Sequence, residues 1–478
     1  MRRCFASLAA VASCFTAHAA FAQAPASAPA APLDTAYRDA AARIIASVEK
    51  GNDGWRKLEH LCLRIGHRLS GSESHTQALE WARKTLEADG HENVRIDPVE
   101  VSRWVRGEES LEMIEPRRAR LAMLGLGGSV ATPPEGITAE VVSVPDQDAL
   151  AELGEEKIRG KIVLFDVPMS GGGESRGSRY GTAARYRGMG ARWASEYGAV
   201  AALVRSATTR SLRTPHTGAM NYFEAKVRIP TCSVSTEDAE MITRLQAAGV
   251  TVRVTLKMNA KTDEKPAPSG NVIGELRGRE RPEEVVVIGG HIDSWDVGQG
   301  AHDDGGGCVT MMEALNVLRK LELRPRRTIR VVLFTNEENG LAGGRDYAKR
   351  YADVLKDHVA AIESDNGTFA LLGIGCTIDA ARREAADARL KEILELLKPL
   401  GAETLDASGG GADIGPMRDA GVPLLSPRVD MTHYFDYHHT EADTLDKVNP
   451  EHLNKKIGAM AILSYILADM PDRLGDPR

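Results

Sequence analysis

Residues 289–307 bring together side chains that could bind a cation. The stretch reads GGHIDSWDVGQGAHDDGGG and contains two histidines, four aspartates and seven glycines. Carboxylates this close to one another are costly to ionise together unless they are well solvated or surround a positive charge. Imidazole nitrogens and carboxylate oxygens are common ligands of divalent cations. The stretch is therefore either a solvated, glycine-rich loop or part of a metal site, and the remainder of the chain distinguishes the two.

Similar side chains also follow three other apolar segments that are typical of buried strands. The segments EEVVVIGG, TIRVVLFTN, HVAAIE and VPLLSPRVD precede, in that order, His291, Glu337 with Glu338, Asp365, and His438 with His439. In open α/β sheets, ligands bind beyond the carboxyl ends of the strands. Four strand ends of this kind indicate one metal site at one edge of a sheet.

This set of residues suits a pair of divalent cations. A pair of ions about 3.5–4 Å apart needs ligands for each ion and a bridging group, and one carboxylate can bridge through its two oxygens. Hydrolysis also needs a free carboxylate that takes the proton of the attacking water and passes it to the leaving group. The adjacent Glu337 and Glu338 could supply one base and one ligand, because neighbouring side chains on extended backbone diverge.

The C-terminal part of the chain alternates apolar strand candidates with amphipathic helix candidates. This order is typical of an α/β fold with a largely parallel sheet. Residues 34–92 show helical periodicity, whereas residues 120–258 contain short apolar runs that alternate with loops and one or two helix candidates, including STEDAEMITRLQAAG. We therefore predict one α/β domain, formed by residues 33–119 and 259–478, and a β-rich insert of residues 120–258. Charged, proline-containing residues 259–270 are interpreted as the return linker.

The first 22 residues have the pattern of a secretory signal peptide. A positive start precedes a short apolar run and an A-x-A cleavage pattern at residues 20–22. The alternative is lipoprotein processing at Cys14, because VASC loosely resembles a lipobox. Residues 23–32 form an alanine- and proline-rich tether. The protein is therefore predicted to be secreted or periplasmic.

The composition argues against several other classes of protein. A net charge of −7 gives no footprint for nucleic acid. No later stretch approaches roughly 18 consecutive apolar residues, so no membrane span is expected. The six cysteines form no C-x-x-C pair, which argues against a thiolate zinc site.

The ligand-rich motifs resemble those of a known family. GGHIDSWDVGQGAHDDGGG, TNEENGLAG, IESDNG and YHHTEADT are similar to the metal motifs of the co-catalytic dizinc exopeptidases, which include bacterial leucyl-type aminopeptidases and glutamate carboxypeptidase relatives. IGHRLSGS, WVRGEE, TPHTG and IPTCSVSTEDAEM resemble, in particular, the plasma glutamate carboxypeptidase branch. The resemblance covers residues 33–472. It implies a central, mostly parallel mixed sheet flanked by helices, and it identifies the insert as a protease-associated domain.

The resemblance implies five metal ligands and two Zn²⁺ ions per chain. His291 and Asp365 would hold one ion, and Glu338 and His439 would hold the other. Asp303 would bridge both ions and would be followed by a non-proline cis peptide bond. Glycines after the bridge would allow the backbone to approach the metals closely.

Catalytic roles are implied for two further residues. Glu337 would act first as the general base and then as the general acid. Asp293 would accept the imidazole N–H of His291 and so fix the tautomer of that ligand.

The two adjacent histidines are distinguished by spacing. His439 is assigned as the ligand because it lies four residues before Asp443, and His438 is left to face the substrate oxyanion. Supporting structural roles are expected for Asp296, His302 and Asp304. Residues 409–416 (GGGADIGP) either line the substrate pocket or form a simple turn-rich loop.

The implied activity is hydrolysis of dipeptides or short peptides with a free terminus. Aminopeptidase or dipeptidase action is expected first, and carboxypeptidase action of the glutamate carboxypeptidase type is the alternative. A non-catalytic, receptor-like binding protein on the same fold is disfavoured, because every ligand position and Glu337 carry the expected residue type. An aminoacylase-type hydrolase would differ in motif spacing. The insert is expected to restrict access to small substrates, and the resemblance suggests a homodimer.

Overall fold

The structure is a computed structural model that describes residue 1 and residues 31–169, 176–210 and 212–477. Apart from Met1, the predicted signal peptide lies outside the described residues, as do Cys14 and residues 23–30 of the predicted tether. Within the described ranges, no helix combines the length and the apolar character needed to cross a bilayer. The cysteines of these ranges are free, buried thiols: Cys62, Cys232, Cys308 and Cys376.

The described residues form twelve α-helices and eighteen β-strands. The helices are α1 (Leu33–Ala36), α2 (Arg38–Glu49), α3 (Gly54–His60), α4 (Glu73–Ala88), α5 (Gln147–Ile158), α6 (Arg176–Glu196), α7 (Thr236–Ala247), α8 (Gly306–Lys320), α9 (Ala342–Arg350), α10 (Ala380–Leu397), α11 (Tyr434–Tyr437) and α12 (Pro450–Asp469). The strands are β1 (Glu92–Val101), β2 (Trp104–Val105), β3 (Glu109–Glu115), β4 (Ala119–Leu121), β5 (Met123–Gly125), β6 (Ile137–Val144), β7 (Ile162–Phe165), β8 (Ala201–Arg205), β9 (Thr231–Val234), β10 (Arg253–Met258), β11 (Lys261–Thr262), β12 (Ala267–Leu276), β13 (Arg281–His291), β14 (Arg327–Phe334), β15 (His358–Glu363), β16 (Leu371–Thr377), β17 (Thr404–Asp406) and β18 (Leu424–Val429).

The first sheet carries the motifs that the sequence singled out. Its strand order is β1-β12-β14-β13-β15-β18-β16-β17. The neighbours β14, β13, β15 and β18 run parallel, whereas β1, β12 and β16 pair antiparallel with their neighbours towards the centre of the sheet. This confirms the predicted α/β fold with a mixed sheet. The four parallel neighbours are the strands that precede the ligand-rich clusters, so their carboxyl ends meet at one edge.

Both faces of this sheet are covered, as near-continuous apolar strands require. Alternate side chains of a strand point to opposite faces. In β13, Val286 and Ile288 pack into a core with α8 and α12, whereas Val285 and Val287 pack into another core with Tyr347 of α9. The strands are therefore held on both sides, and their ends form a rigid platform for the loops that follow.

The second sheet belongs to the insert, and it begins earlier in the chain than the predicted insert. Its order is β4-β3-β10-β6-β7-β8-β9-β5. Because β3 pairs antiparallel with β10, the sheet begins at Glu109 and not at residue 120. The strands β6 to β9 run parallel, and α6 and α7 pack against them; α7 coincides with the predicted helix candidate STEDAEMITRLQAAG. Local apolar patterns do not reveal strand partners so distant in sequence.

The chain crosses between the two sheets at two places that lie side by side. On the way out it forms β2, and on the way back it forms β11, which pairs antiparallel with β2. The return linker is shorter than the predicted residues 259–270, because Ala267 already pairs with Val101 in the first sheet. The paired crossings fix the point from which the insert extends.

Candidate metal centre

Three neighbouring strands deliver ligand-type side chains to the same edge of the first sheet. His291 is the last residue of β13, Glu337 and Glu338 follow β14, and Asp365 follows β15. Parallel strands share one direction, so their carboxyl ends meet. The fourth contribution, His439, comes from the segment after β18 and α11.

Asp303 lies between two groups of these side chains. Its Oδ1 is 3.2 Å from Nε2 of His291, which is 3.5 Å from Oδ1 of Asp365. Its Oδ2 is 3.3 Å from Nε2 of His439, which is 3.0 Å from Oε2 of Glu338. Each group is compact enough to hold one ion. The two groups thus share one carboxylate through different oxygen atoms.

Several ligand-type atoms in these groups are buried without a hydrogen-bond partner. They are Nε2 of His291, Oδ2 of Asp303 and Oε1 of Glu338. Polar atoms that are buried and unsatisfied carry a desolvation cost. Two divalent cations would satisfy them, and a donor set of imidazoles and carboxylates suits zinc. The residues present therefore fit the metal pair that the sequence resemblance implies.

The pKa shifts of the carboxyl groups at this edge also indicate that positive charges would stabilise the site. Burial raises the pKa of Glu338 well above its usual range, and the Asp303 carboxylate raises it further. Burial raises the pKa of Glu337 to about 8; His291 opposes this shift, whereas Asp365 and Asp303 add to it. A raised carboxyl pKa means that the fold alone disfavours the ionised form. Bound divalent cations would reverse that effect.

Glu337 lies beside the two groups but belongs to neither. It is partly exposed, whereas Glu338 is buried. Both residues lie in a turn, not on extended backbone as predicted, and Asn336 before them has a left-handed φ of 65°. The carboxylate of Asp293 accepts the backbone N–H groups of Glu337 at 3.1 Å and of Glu338 at 3.3 Å. The turn, rather than a strand, allows the adjacent glutamates to differ in surroundings.

Asp293 therefore has a different role from the one expected. Nδ1 of His291 is 3.1 Å from the backbone carbonyl oxygen of Asp293 but 4.0 Å from its Oδ1. The carbonyl, not the carboxylate, accepts the imidazole N–H and leaves Nε2 free for a cation. The carboxylate instead accepts the Ser70 hydroxyl at 2.9 Å, besides the two N–H groups of the glutamate turn.

Asp443 is a site residue that the sequence argument used only as a spacing landmark. Its carboxylate accepts the backbone N–H groups of His302 at 2.8 Å and of Asp303 at 3.1 Å, which fixes the shared ligand. The peptide bond between Asp303 and Asp304 is cis, as the resemblance implied. Asp304 accepts the backbone N–H of His291 at 3.2 Å.

The residues expected to be structural have structural contacts. The ring of His302 stacks on Phe369 with 4.3 Å between centroids, and Asp296 forms an ion pair with the arginine of the WVRGEE motif. In the loop of residues 409–416, two backbone N–H groups donate to the buried carboxylate of Glu363. That contact explains the shape of the loop, and its part in substrate binding stays a prediction.

Arg68, from the IGHRLSGS motif, organises the loop that follows His291. Its fully buried guanidinium donates to the backbone oxygens of Ile292 at 2.7 Å, Gln299 at 2.8 Å and Gly300 at 2.9 Å. One guanidinium thus holds three backbone carbonyls of this loop in place, and the Gly300 carbonyl also accepts the Gly305 N–H at 3.0 Å. Sequence alone linked this motif to the family but gave it no role.

Replacing Arg68 with methionine should lower the free energy of unfolding by about 3 kcal/mol, because the Ile292 and Gln299 carbonyls lose the guanidinium donors. The measurement is the urea midpoint, with Arg38→Met as the control, since Arg38 is exposed. An unchanged midpoint in R68M would contradict the role assigned to the guanidinium.

The insert reaches the metal centre through Thr217. The Thr217 N–H donates to the backbone oxygen of His439 at 2.9 Å, and Nδ1 of His439 lies 3.2 Å from the Thr217 oxygen. The Thr217 carbonyl thereby holds the His439 tautomer that leaves Nε2 free. His439 has a left-handed φ of 59°, and its ring stacks on that of His438 with 3.7 Å between centroids. The insert is thus part of the site.

His438 lies next to the metal centre but outside the two groups that share Asp303. Its Nε2 is 3.4 Å from Oδ2 of Asp303, and the residue is buried. This position is compatible with the predicted contact to the substrate.

The chain resembles known proteins over most of its length. Human carboxypeptidase Q is 40% identical over 423 residues, which are 88% of this chain and 87% of the human protein. Carboxypeptidase Q of Xenopus laevis is 40% identical over 443 residues, which are 92% of each chain. A peptidase M28 precursor from Shewanella amazonensis SB2B has a TM-score of 0.87 at 34% identity, over 93% of this chain and 99% of that one.

The fold is shared more widely. A zinc aminopeptidase from Bacillus subtilis has a TM-score of 0.63 at 20% identity, over 88% of this chain and 96% of that one. The sequence pattern of peptidase family M28 matches residues 271–463, which include all five predicted ligands and Glu337. These similarities show that the chain belongs to peptidase family M28 and is a metallopeptidase of that family.

Proposed function

We propose that this protein is an exported dizinc exopeptidase that cleaves dipeptides or short peptides with a free terminus. The observation that carries the proposal is the pair of ligand groups that share Asp303 through separate oxygens. A carboxylate in that position suits a pair of ions better than a single ion. Glu337 lies beside the pair with its carboxyl group outside both ligand groups.

The proposed ligands are those predicted from sequence. His291 and Asp365 hold one zinc ion, Glu338 and His439 hold the other, and Asp303 bridges them. When bound, two zinc ions polarise the scissile carbonyl and lower the pKa of the attacking water.

The remaining steps belong to side chains of the protein. The Glu337 carboxylate takes a proton from the attacking water at one of its oxygens and later gives that proton to the leaving amine. His438 donates a hydrogen bond to the substrate oxygen on which negative charge develops. Asp293 positions Glu337 through the backbone N–H of the glutamate turn.

Contacts of the insert support the restriction to short substrates. Tyr180 of α6 stacks on Phe435 beside the centre, with 4.7 Å between ring centroids. His216 of the insert stacks on His439 with 5.1 Å between centroids. A layer packed this closely beside His439 leaves little room for a folded polypeptide, whereas a dipeptide needs only a small space.

Amino- and carboxypeptidase action make different demands on the substrate termini. Aminopeptidase or dipeptidase action is proposed first, and the relatives named carboxypeptidase Q support the carboxypeptidase alternative. We expect a dipeptide with a free amine to be cleaved and its N-acetylated form to resist cleavage by at least ~100-fold, since a buried site loses the contacts of that charged group. Liquid chromatography of the products measures both rates.

The same panel contains the contrary case. A C-terminally amidated dipeptide serves as the control and should still be cleaved. If the amidated form resists and the acetylated form does not, the carboxypeptidase alternative is correct. Resistance of every peptide to the metal-loaded protein would contradict a peptidase of this kind.

Export and assembly are further parts of the proposal. The A-x-A pattern at residues 20–22 supports cleavage of a signal peptide, and mass spectrometry of the mature N-terminus tests it. Cleavage before a lipidated Cys14 would support the lipoprotein alternative instead. The resemblance to the plasma glutamate carboxypeptidase branch supports a homodimer, which sedimentation analysis tests.

A further inference from the structure

His216, in the TPHTG motif of the insert, is a buried histidine with no role in the chemistry described so far. It is 1% exposed. Its backbone N–H donates to the Ser206 hydroxyl at 3.0 Å, and that hydroxyl donates to the Val234 carbonyl at 2.7 Å. The residue is therefore anchored at the end of the insert's parallel strands β8 and β9. Its ring, however, points out of the insert and towards the peptidase domain.

A hydrogen bond joins this ring to the proposed oxyanion donor. Nε2 of His216 lies 3.1 Å from Nδ1 of His438. On the other side of its own ring, His438 places Nε2 3.4 Å from Oδ2 of Asp303. The two imidazoles thus form a line that runs from the insert to the metal centre.

The orientation of the His438 ring is already fixed by packing. It stacks on His439 at 3.7 Å, lies against Tyr434 at 4.8 Å and meets the edge of Tyr180 at 5.2 Å between centroids. Packing does not determine which nitrogen of the ring carries the proton. A neutral imidazole has one donor and one acceptor, and the hydrogen bond at one nitrogen determines the state of the other.

The direction of this hydrogen bond follows from the proposed role of His438 as a donor to the substrate oxyanion. To donate to an oxyanion, His438 must carry its proton on Nε2, so its Nδ1 must accept. His216 must then donate from its own Nε2, which leaves an unprotonated Nδ1 on His216. That Nδ1 is buried and has no hydrogen-bond partner. If His216 carried its proton on Nδ1 instead, that N–H would be buried without an acceptor. His438 would then have to donate from its own Nδ1, and it would lose the proton on Nε2 that faces the oxyanion.

We propose that His216 is a positioning residue of the insert: its Nε2–H donates to Nδ1 of His438 and thereby keeps the His438 proton on Nε2, facing the reacting carbonyl. This role rests on the proposed function, and it means that the insert supplies the residue that positions His438. It also explains why a buried histidine pair spans the boundary between two separate sheets.

The test compares substitutions of similar size that differ in the donor. His216→Met has no donor, and His216→Gln retains an N–H near the original Nε2. H216M should lower kcat about 10- to 100-fold with little change in KM, as for other groups that orient site residues. H216Q should recover most of that loss, and both variants should retain the zinc content of the unmodified protein. His358→Met is the control, because His358 is a buried histidine at the opposite end of β15.

A double-mutant cycle shows whether His216 acts through His438. In the His438→Met background, the further change H216M should leave kcat unchanged. An equal loss of kcat in both backgrounds would overturn the proposal. So would a kcat of H216M equal to that of the unmodified protein, or a loss of zinc from H216M or H438M. Loss of zinc would mean that His438 presents a lone pair to the metals, with the hydrogen bond in the reverse direction.

Two further variants keep the outcomes separable. If H216M does not fold, His216→Asn replaces it. The asparagine side chain is too short to place an N–H donor at the Nε2 position, so H216N should lose activity where H216Q keeps it. Glu337→Gln reports on the proposed function alone. An active E337Q enzyme would refute the mechanism itself, whereas an inactive E337Q beside a fully active H216M would refute only the role of His216.

Discussion

Glu337→Gln is expected to lower kcat by roughly three orders of magnitude while both zinc ions remain bound. Glutamine keeps the size of the side chain and its backbone N–H contact with Asp293, but it cannot accept the proton of the attacking water. Because Glu337 lies outside the two ligand groups, its replacement removes no ligand. The measurement pairs steady-state kinetics on a dipeptide with elemental analysis of the same preparation.

The matched control for this change is Glu451→Gln, which alters a solvent-exposed glutamate on α12 that is paired with Lys455. It should leave both kcat and zinc content unchanged. A near-normal turnover in E337Q would remove Glu337 from its assigned role. A loss of zinc in E337Q would instead place Glu337 among the ligands.

Complete removal of metal is expected to abolish hydrolysis and to destabilise the fold. The buried carboxylates then lose the positive charges that stabilise their ionised form, so chelation should lower the melting temperature as well as the rate. Activity should return on addition of zinc and should reach its maximum at two equivalents per chain. Elemental analysis measures the zinc content, calorimetry measures the melting temperature, and a titration against added zinc measures the loss and return of activity.

Single-ligand variants distinguish a pair of ions from one. His291→Ala removes a ligand from only one group and should reduce the zinc content from two equivalents to about one. Asp303→Ala removes the shared ligand and should reduce it below one. Equal losses in both variants would argue against a shared carboxylate, and full activity of the chelated protein would exclude a metal-dependent mechanism.

The sequence was sufficient to predict the edge of the sheet at which the site lies. Each apolar run that precedes a ligand cluster is a strand, and the relevant strands are parallel neighbours, so their ends meet. This prediction needed only the order of apolar and ligand-type residues. It needed no knowledge of the loops, because a parallel sheet gathers strand ends independently of loop shape.

The contacts that depend on loop conformation were not predictable in the same way. Asp293 contacts His291 through its backbone carbonyl because of how the chain turns after β13, which spacing does not reveal. Arg68 binds that same loop from more than two hundred residues upstream, and a buried arginine is unexpected from its polarity. The role of His216 depends on the placement of the insert, and the insert's first strand was itself assigned too late in the sequence.

The reciprocal contacts between Thr217 and His439 limit how the enzyme can admit and release its substrate. If the insert swung away as a rigid lid, His439 would lose the acceptor that holds its Nδ1 proton, and the imidazole would be free to rotate away from the metals. Each turnover that required such a swing would therefore risk loss of an ion. On the proposed mechanism, we therefore expect substrate and products to pass while the insert remains docked. The width of the opening beside the docked insert, rather than the affinity of the centre, would then limit peptide length.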